Sequence, residues 1–209
     1  MKIKNSLLLL LFSSFHTILC AQSVTIKVYG LYNKTEQVKV VDNNIGISLG
    51  GFDPQYGYQG GVLYTHPIYK SFVALGEVGY LTKGYNTIDS RTKKKLLEVN
   101  YKYLYFKPSL GYQWYGFTIS AGLFLNLLLN EEAVKKSWSN SMFKKPEIAT
   151  SFELSYQYKN LGLSISTNNN TEPMRTITAF SDVFDHYNHW YAIGLSYQIY
   201  KFKQNTSNP

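Results

Sequence analysis

Near its C-terminus the chain reads Asp182-Val183-Phe184-Asp185-His186-Tyr187-Asn188-His189, the residue types that bind metals or relay protons. Two carboxylates beside two histidines could ligate a metal ion. The run lacks the closed ligand set of a structural or catalytic site, however. A Ser–His–Asp relay through Asp185 would need a serine nucleophile. Ser181 is near in sequence, but no nucleophile elbow surrounds it. The chain carries no phosphate loop, dinucleotide fingerprint or zinc-ribbon spacing. These residues predict no enzyme site, no metal and no cofactor.

Charge is more informative. Arg91, Lys93, Lys94 and Lys95 form one basic cluster, and Lys135, Lys136, Lys144 and Lys145 form another. Such clusters either bind phosphates through charge-assisted hydrogen bonds or are simply solvated loops. A third set lies inside strongly apolar segments. Glu77, Lys107 and Glu153 each fall out of phase with the neighbouring Leu, Ile, Val and Phe residues. Unpaired charges are too costly to bury. These three are expected to point inward, to pair, and to share a polar network with Gln113 and Gln157. Conduction through such a cluster is one reading, and a structural plug of ion pairs is the preferred one.

The elements that would carry these residues are strands. Of 209 residues, 44% are hydrophobic and only 16% charged, which argues against disorder. Aromatic residues reach 16%, with 19 Tyr, and Gly adds 15. Aromatics and Gly favour strands and turns over helices. Period-two alternation is clearest at Phe117–Leu127, Thr150–Tyr158 and Tyr191–Ile199. Eight strands are predicted, over 45–52, 55–67, 72–86, 97–115, 117–130, 147–159, 161–169 and 188–201. Residues 22–44 are predicted as a lead-in or an extra hairpin, which would make ten strands possible. The tail 203–209 is polar.

Three connections between these strands are tight and three are long, and they alternate along the chain. The short one at 51–55 breaks the pattern. Sorting of loop length by parity is the layout of an outer-membrane barrel. The fold expected is therefore all-β, an eight-stranded antiparallel up-and-down transmembrane barrel. Its apolar rows would face lipid and its mild Ser, Gly, Thr and Gln rows the lumen. Tyr112, Trp114, Tyr115, Tyr156, Tyr158 and Tyr197 crowd the tight-turn end and are expected to form an aromatic girdle at the membrane interface. An eight-stranded barrel has an interior about wide enough for side chains alone.

Residues 1–21 read as a secretory signal peptide, with Lys2 and Lys4 before the apolar run Leu7–Phe12. The sole cysteine, Cys20, falls within it; lipidation of Cys20 is an alternative that Leu19 fits poorly. Loss of that segment takes the formal charge from +8 to +6. An exported basic protein meets anionic lipids or surface polymers rather than nucleic acid. The basic loops are then candidates for contact with lipopolysaccharide phosphates.

Several short stretches carry a resemblance. They are Gly50-Gly51, Gln59-Gly60-Gly61-Val62, Leu75-Gly76-Glu77-Val78-Gly79-Tyr80, Lys83-Gly84, Tyr103-Leu104-Tyr105-Phe106-Lys107-Pro108, Ser120-Ala121-Gly122-Leu123-Phe124 and Gly194-Leu195-Ser196-Tyr197-Gln198-Ile199. Together they resemble the PorT-like outer-membrane β-barrel family of Bacteroidetes, over about residues 45–202. The resemblance implies insertion by the outer-membrane assembly machinery and a partner in an envelope or secretion complex. It carries over no catalytic residue. The function expected is a structural or interaction role at the outer membrane, with a small pore or a lipid-modifying enzyme as the alternatives.

Overall fold

The structure, a computed structural model, describes residues 23–41, 45–51, 54–88, 95–133, 147–171, 175–179 and 182–201. Ten strands follow one another: β1 (Ser23–Val41), β2 (Ile45–Gly51), β3 (Gln55–Tyr69), β4 (Phe72–Ile88), β5 (Lys95–Trp114), β6 (Phe117–Ala133), β7 (Glu147–Tyr158), β8 (Leu161–Asn170), β9 (Arg175–Ala179) and β10 (Asp182–Lys201). All pairings are antiparallel, and β1 pairs with β10, so the sheet closes on itself. Eight strands make the ring: β1, β3, β4, β5, β6, β7, β8 and β10.

The first ring strand is not the expected one. Residues 22–44, predicted as a lead-in or extra hairpin, contain β1, which pairs with β3 from Ser23↔Thr65 to Asn33↔Gln55 and with β10 from Ser23↔Lys201 to Val40↔Val183. The segment predicted as strand one, 45–52, holds β2, which pairs only with Glu36–Val41 of β1, past the last β3 partner. In the same way β9 pairs only with Asp182–His186 of β10. Both are additions at the loop end. The ten-strand alternative is met in the sheet but not in the ring. Both segments alternate along the sequence, so periodicity could not tell a ring strand from a hairpin flap.

Moving the first strand restores the loop pattern. The connection from β1 to its ring neighbour β3 runs over 42–54, and it is long. The three turns at the other end each use two residues: Lys70-Ser71, Tyr115-Gly116 and Lys159-Asn160. Their first residues have φ values of 49°, 46° and 53°, in the left-handed region. Positive φ matches the twist of a two-residue hairpin but suits Gly or Asn better than Lys or Tyr.

The outward rows are apolar. On β10, Tyr191, Ile193, Leu195, Tyr197 and Ile199 are each more than half exposed, and they alternate with buried Ala192, Gly194 and Ser196. On β6, Ile119 (64% exposed) and Leu127 face out while Phe124 and Asn126 face in. Chain termini of the ring, Ser23 and Lys201, meet at the tight-turn end. The expected girdle residues Tyr112, Trp114, Tyr115, Tyr156, Tyr158 and Tyr197 are all exposed there.

The inner face differs from expectation in one respect. It is not merely polar. Tyr29, Leu31, Leu81, Val99, Tyr101, Tyr103, Tyr105, Phe124 and Trp190 fill it, each 4% exposed or less. An eight-stranded ring has room for about this much side chain and little more. Glycines admit the large rings. Tyr29 pairs with Gly194 across β1 and β10, and a Cβ on Gly194 would lie 2.2 Å from the Tyr29 ring.

Candidate functional site

Among the described residues, the charged side chains of the interior gather at two levels. At the lower level Glu77 and Lys107 are direct cross-strand partners on β4 and β5. Glu153 on β7 and Lys27 on β1 reach in from strands that are not neighbours in the ring. Lys107 lies 2.9 Å from Glu77 and 2.8 Å from Glu153. Lys27 bonds Glu153 and lies 3.8 Å from Glu77. Two ammonium groups and two carboxylates thus alternate around a closed, neutral square.

Hydroxyl and amide donors complete it. Tyr105 donates its hydroxyl proton to Glu77 Oε1 at 2.5 Å, and Tyr29 donates to Glu153 Oε2 at 3.2 Å. Gln59 Nε2 donates to Glu77 Oε1 and to the Tyr105 hydroxyl, at 3.1 Å each. Glu77 is fully buried. A charge so placed persists only when its partners are this close and this numerous.

Above the square lies an aromatic layer. The Tyr105 and Phe124 rings are 5.2 Å apart, and Phe124 and Trp190 meet edge to face at 5.5 Å. The layer also touches the charges. Lys107 Nζ lies 5.2 Å from the Phe124 centroid, and Lys27 Nζ 5.1 Å from that of Tyr29. The upper level is one ion pair, Lys83 with Glu147, with the ammonium 4.2 Å from the Trp190 centroid and 4.9 Å from that of Tyr103. Around and beyond it the lining turns to carboxamides: Asn33, Asn86, Asn126, Asn168, Asn170 and Asn188 are all buried.

Below the square the interior opens. A cavity of about 80 Å³ runs from the tight-turn end to the charges, lined by side chains such as Ser109, Thr118, Ser120, Ser155, Gln157 and Gln198. It is a polar vestibule that ends on Lys27, Glu77, Lys107 and Glu153.

Glu77, Lys107 and Glu153 therefore lie together in the interior. Gln113 and Gln157, expected in the same network, line the vestibule instead: Gln157 donates to the Lys159 carbonyl, and no bond from either side chain to the three charges is described. Sequence reasoning missed Lys27, Tyr29, Gln59, Tyr105, Lys83 and Glu147. A signal existed for each ion. Lys83 shares the parity of Glu77, Glu147 that of Glu153, and Lys27 alternates with Ile26 and Val28. The basic candidates Arg91, Lys93, Lys94, Lys135, Lys136, Lys144 and Lys145 lie outside the described residues, and Lys95 is described only as the first residue of β5. Segment 1–21 with Cys20 and tail 203–209 lie outside them too. Of the Asp–His run, His189 faces outward and its Nδ1 lies 2.9 Å from Asn169 Oδ1. Among the described residues no group of three or more His, Cys, Asp or Glu is placed to hold a metal ion. Among the described residues no helix is long and apolar enough to cross a membrane, which says nothing of strands.

No family model matches the chain, and no curated protein matches it. Several solved structures are similar. The attachment invasion locus protein Ail of Yersinia pestis shares 10% identity at a TM-score of 0.42, over 85% of this chain and 99% of that one. The outer membrane protein OprG of Pseudomonas aeruginosa shares 8% at 0.46, over 86% and 97%. Neisserial surface protein A shares 12% at 0.45, over 84% and 97%.

Proposed function

We propose that this chain is an integral outer-membrane barrel with a sealed lumen, acting as a structural or interaction protein rather than a pore or an enzyme. The observation that carries the reading is the pairing of a continuous apolar exterior with a charged interior. A soluble barrel of this size would be required to do the reverse. Instead Leu195 is 69% exposed while Glu77 is 0%. Burying ions at the centre and leaving leucine rows outside is stable only where the outside is not water.

Dimensions support it. On β10 the outward aromatics Tyr200 and Tyr191 are nine residues apart. At ~3.3 Å per residue and a tilt of ~40°, that spans about 23 Å along the barrel axis, close to the ~25 Å apolar band of outer-membrane barrels. Tyr191 continues into a second aromatic ring: Tyr32 lies 5.9 Å from Tyr56 and 6.5 Å from Tyr191. Closure of the sheet leaves no ring edge unpaired, as a hydrocarbon phase demands.

The sealed interior favours the plug over the pore. A solute would have to displace the neutral square, the aromatic layer and the Lys83–Glu147 pair in turn. On this reading the tight turns face the periplasm and the long connections face outward. The basic connections around Arg91 and Lys144 would present charge to lipopolysaccharide phosphates or to an envelope partner. Export by the leader 1–21, insertion by the assembly machinery, and kinship with PorT-like barrels belong to the same proposal.

Cell fractionation with gel electrophoresis tests it. The protein should enter the outer-membrane fraction, need detergent for release, and shift its gel mobility only after boiling. Solubility without detergent overturns the reading. In planar bilayers the purified protein should pass no steady current. Stable single-channel steps would replace the plug with a pore.

A further inference from the structure

Three strand ends at the tight-turn rim close on the same dipeptide: Tyr69-Lys70, Tyr158-Lys159 and Tyr200-Lys201. Two of these lysines open hairpin turns in the left-handed region, at φ 49° and 53°, where Gly or Asn would sit without strain. Each of the two holds its ammonium over the ring before it, at 5.1 Å for Lys70 on Tyr69 and 5.5 Å for Lys159 on Tyr158. The side chains are thus set at the outer edge of the rim, beside the girdle, rather than over the vestibule mouth. The third turn carries Tyr115 in the same conformation, so the rim positions two ammonium groups and one more aromatic ring at equivalent places.

Charge balance says what kind. The rim segments 66–72, 113–118, 157–161 and 198–201 contain none of the chain's 13 Asp and Glu residues. Glu77 and Glu153, the nearest interior carboxylates, are already engaged by Lys27 and Lys107. The rim is cationic with no acid of its own, so its counter-charge must come from outside the chain.

A third observation fixes the place. A groove of about 570 Å³ indents the outer wall at this end, between Ile68, Tyr69, Phe72, Leu110, Ile119 and Phe152, with small Ala121 among its lining. It is apolar, lies on the outward face, and reaches Tyr69, the residue that carries the Lys70 ammonium. We propose that this is a binding site for one anionic phospholipid of the periplasmic leaflet. Its phosphate meets Lys70 and one acyl chain lies in the groove, while Lys159 and Lys201 extend the same preference around the rim. An acidic protein surface would suit the lysines but would have no use for an apolar groove. The proposal rests on the membrane reading above.

The test reconstitutes the full-length protein into vesicles of phosphatidylcholine alone, and into equal phosphatidylcholine and phosphatidylglycerol with matched chains. Lipid retained after detergent extraction is read by native mass spectrometry. Phosphatidylglycerol should be retained about tenfold over phosphatidylcholine. Lys70→Gln should lower that preference about fivefold, the effect of one lysine at an anionic surface, and Lys70→Arg should keep it. Ala121→Phe fills the groove without changing charge and should lower retention of both lipids. Equal retention of the two lipids, or a Lys70→Gln variant indistinguishable from the parent, overturns the site. A protein that inserts into pure phosphatidylcholine yet shows no selectivity leaves the membrane reading standing and removes only this one. Failure to insert into either vesicle removes both.

Discussion

Lys107→Met is the sharpest probe of the interior. It keeps most of the side-chain volume and removes one ammonium from the neutral square. Two contacts go at once, at 2.9 Å to Glu77 and 2.8 Å to Glu153. What remains is two carboxylates facing Lys27 alone, in a site where Glu77 has no access to solvent. At an effective dielectric of ~20 each lost contact is worth several kcal/mol before the recovered desolvation of the lysine is counted. Breaking one member out of a buried pair costs about 3–5 kcal/mol net. Reversible urea unfolding in vesicles, followed by the heat-modified gel band, should show a loss of that size. The double variant Lys107→Met/Glu77→Gln restores neutrality and leaves the Lys27–Glu153 bond in place. It should be more stable than Lys107→Met alone, with a coupling of about 2 kcal/mol. A loss below ~1 kcal/mol for the single variant, or a double variant weaker than the single one, would refute the idea that charge balance holds this lumen together.

Three further outcomes follow from the same geometry. Ile193→Arg places a charge in the middle of the outward apolar row, where Ile193 is 66% exposed; unfolding in vesicles should show a cost of about 2–4 kcal/mol, and an effect within ~0.5 kcal/mol would mean the row faces water. Gly194→Val would drive a side chain into the Tyr29 ring, already 2.2 Å from a bare Cβ; it should cost at least about 1–3 kcal/mol by the same measurement, while Gly30→Ala, with nothing within 4 Å of its Cβ, should cost less. With Cys20 the chain's only cysteine, Ser109→Cys in the vestibule should react in micelles with a small charged methanethiosulfonate, while Asn126→Cys above the square should not; labelling of both at equal rate would mean the interior is not sealed.

How far the sequence reached can be argued from single residues. Alternation placed Phe152 and Leu154 outside and Glu153 inside, and the structure has them so, because a strand offers only two faces and one of them had to exclude ions. The same logic identified the closed all-β ring, its count of eight and seven of the strands that form it. It failed at β1. Thr25, Lys27 and Tyr29 alternate with Ile26 and Val28 as cleanly as any later strand, yet the segment is expected as a lead-in or an extra hairpin. What makes Lys27 a lumen residue is Glu153, 126 positions away, and no local pattern encodes a partner at that separation. The aromatic layer was hidden for a related reason. Tyr101, Tyr103 and Tyr105 share the parity of Lys107, so periodicity puts them inside, but it does not tell how much ring the lumen can hold. The depth of Tyr105 depends on the space that Gly61 and Gly79 leave. A Cβ at either position would lie within 3 Å of the Tyr105 hydroxyl.

Charge and ring size together explain why the interior is arranged in levels. An eight-stranded ring is too narrow for a continuous water column once tyrosines enter it. Any ion above the vestibule must therefore find its partner within the cross-section it occupies. The lower level does so with two lysines and two glutamates, and the upper level with Lys83 and Glu147. Among the described residues each level is neutral by itself. The Phe124 and Trp190 rings between them lie against Lys107 and Lys83, so each cation has a favourable ring contact in addition to its carboxylate. A barrel that conducted ions would need the opposite arrangement, with charges of one sign along a wet path and no ring across it. Here large side chains, Trp190, Tyr101, Tyr105 and Phe124 among them, are fully buried, and opening the lumen means displacing them and separating both ion clusters. In the proposed orientation the same closure leaves the two ends of the molecule free to specialise, the long connections outward and the lysine rim toward the periplasm.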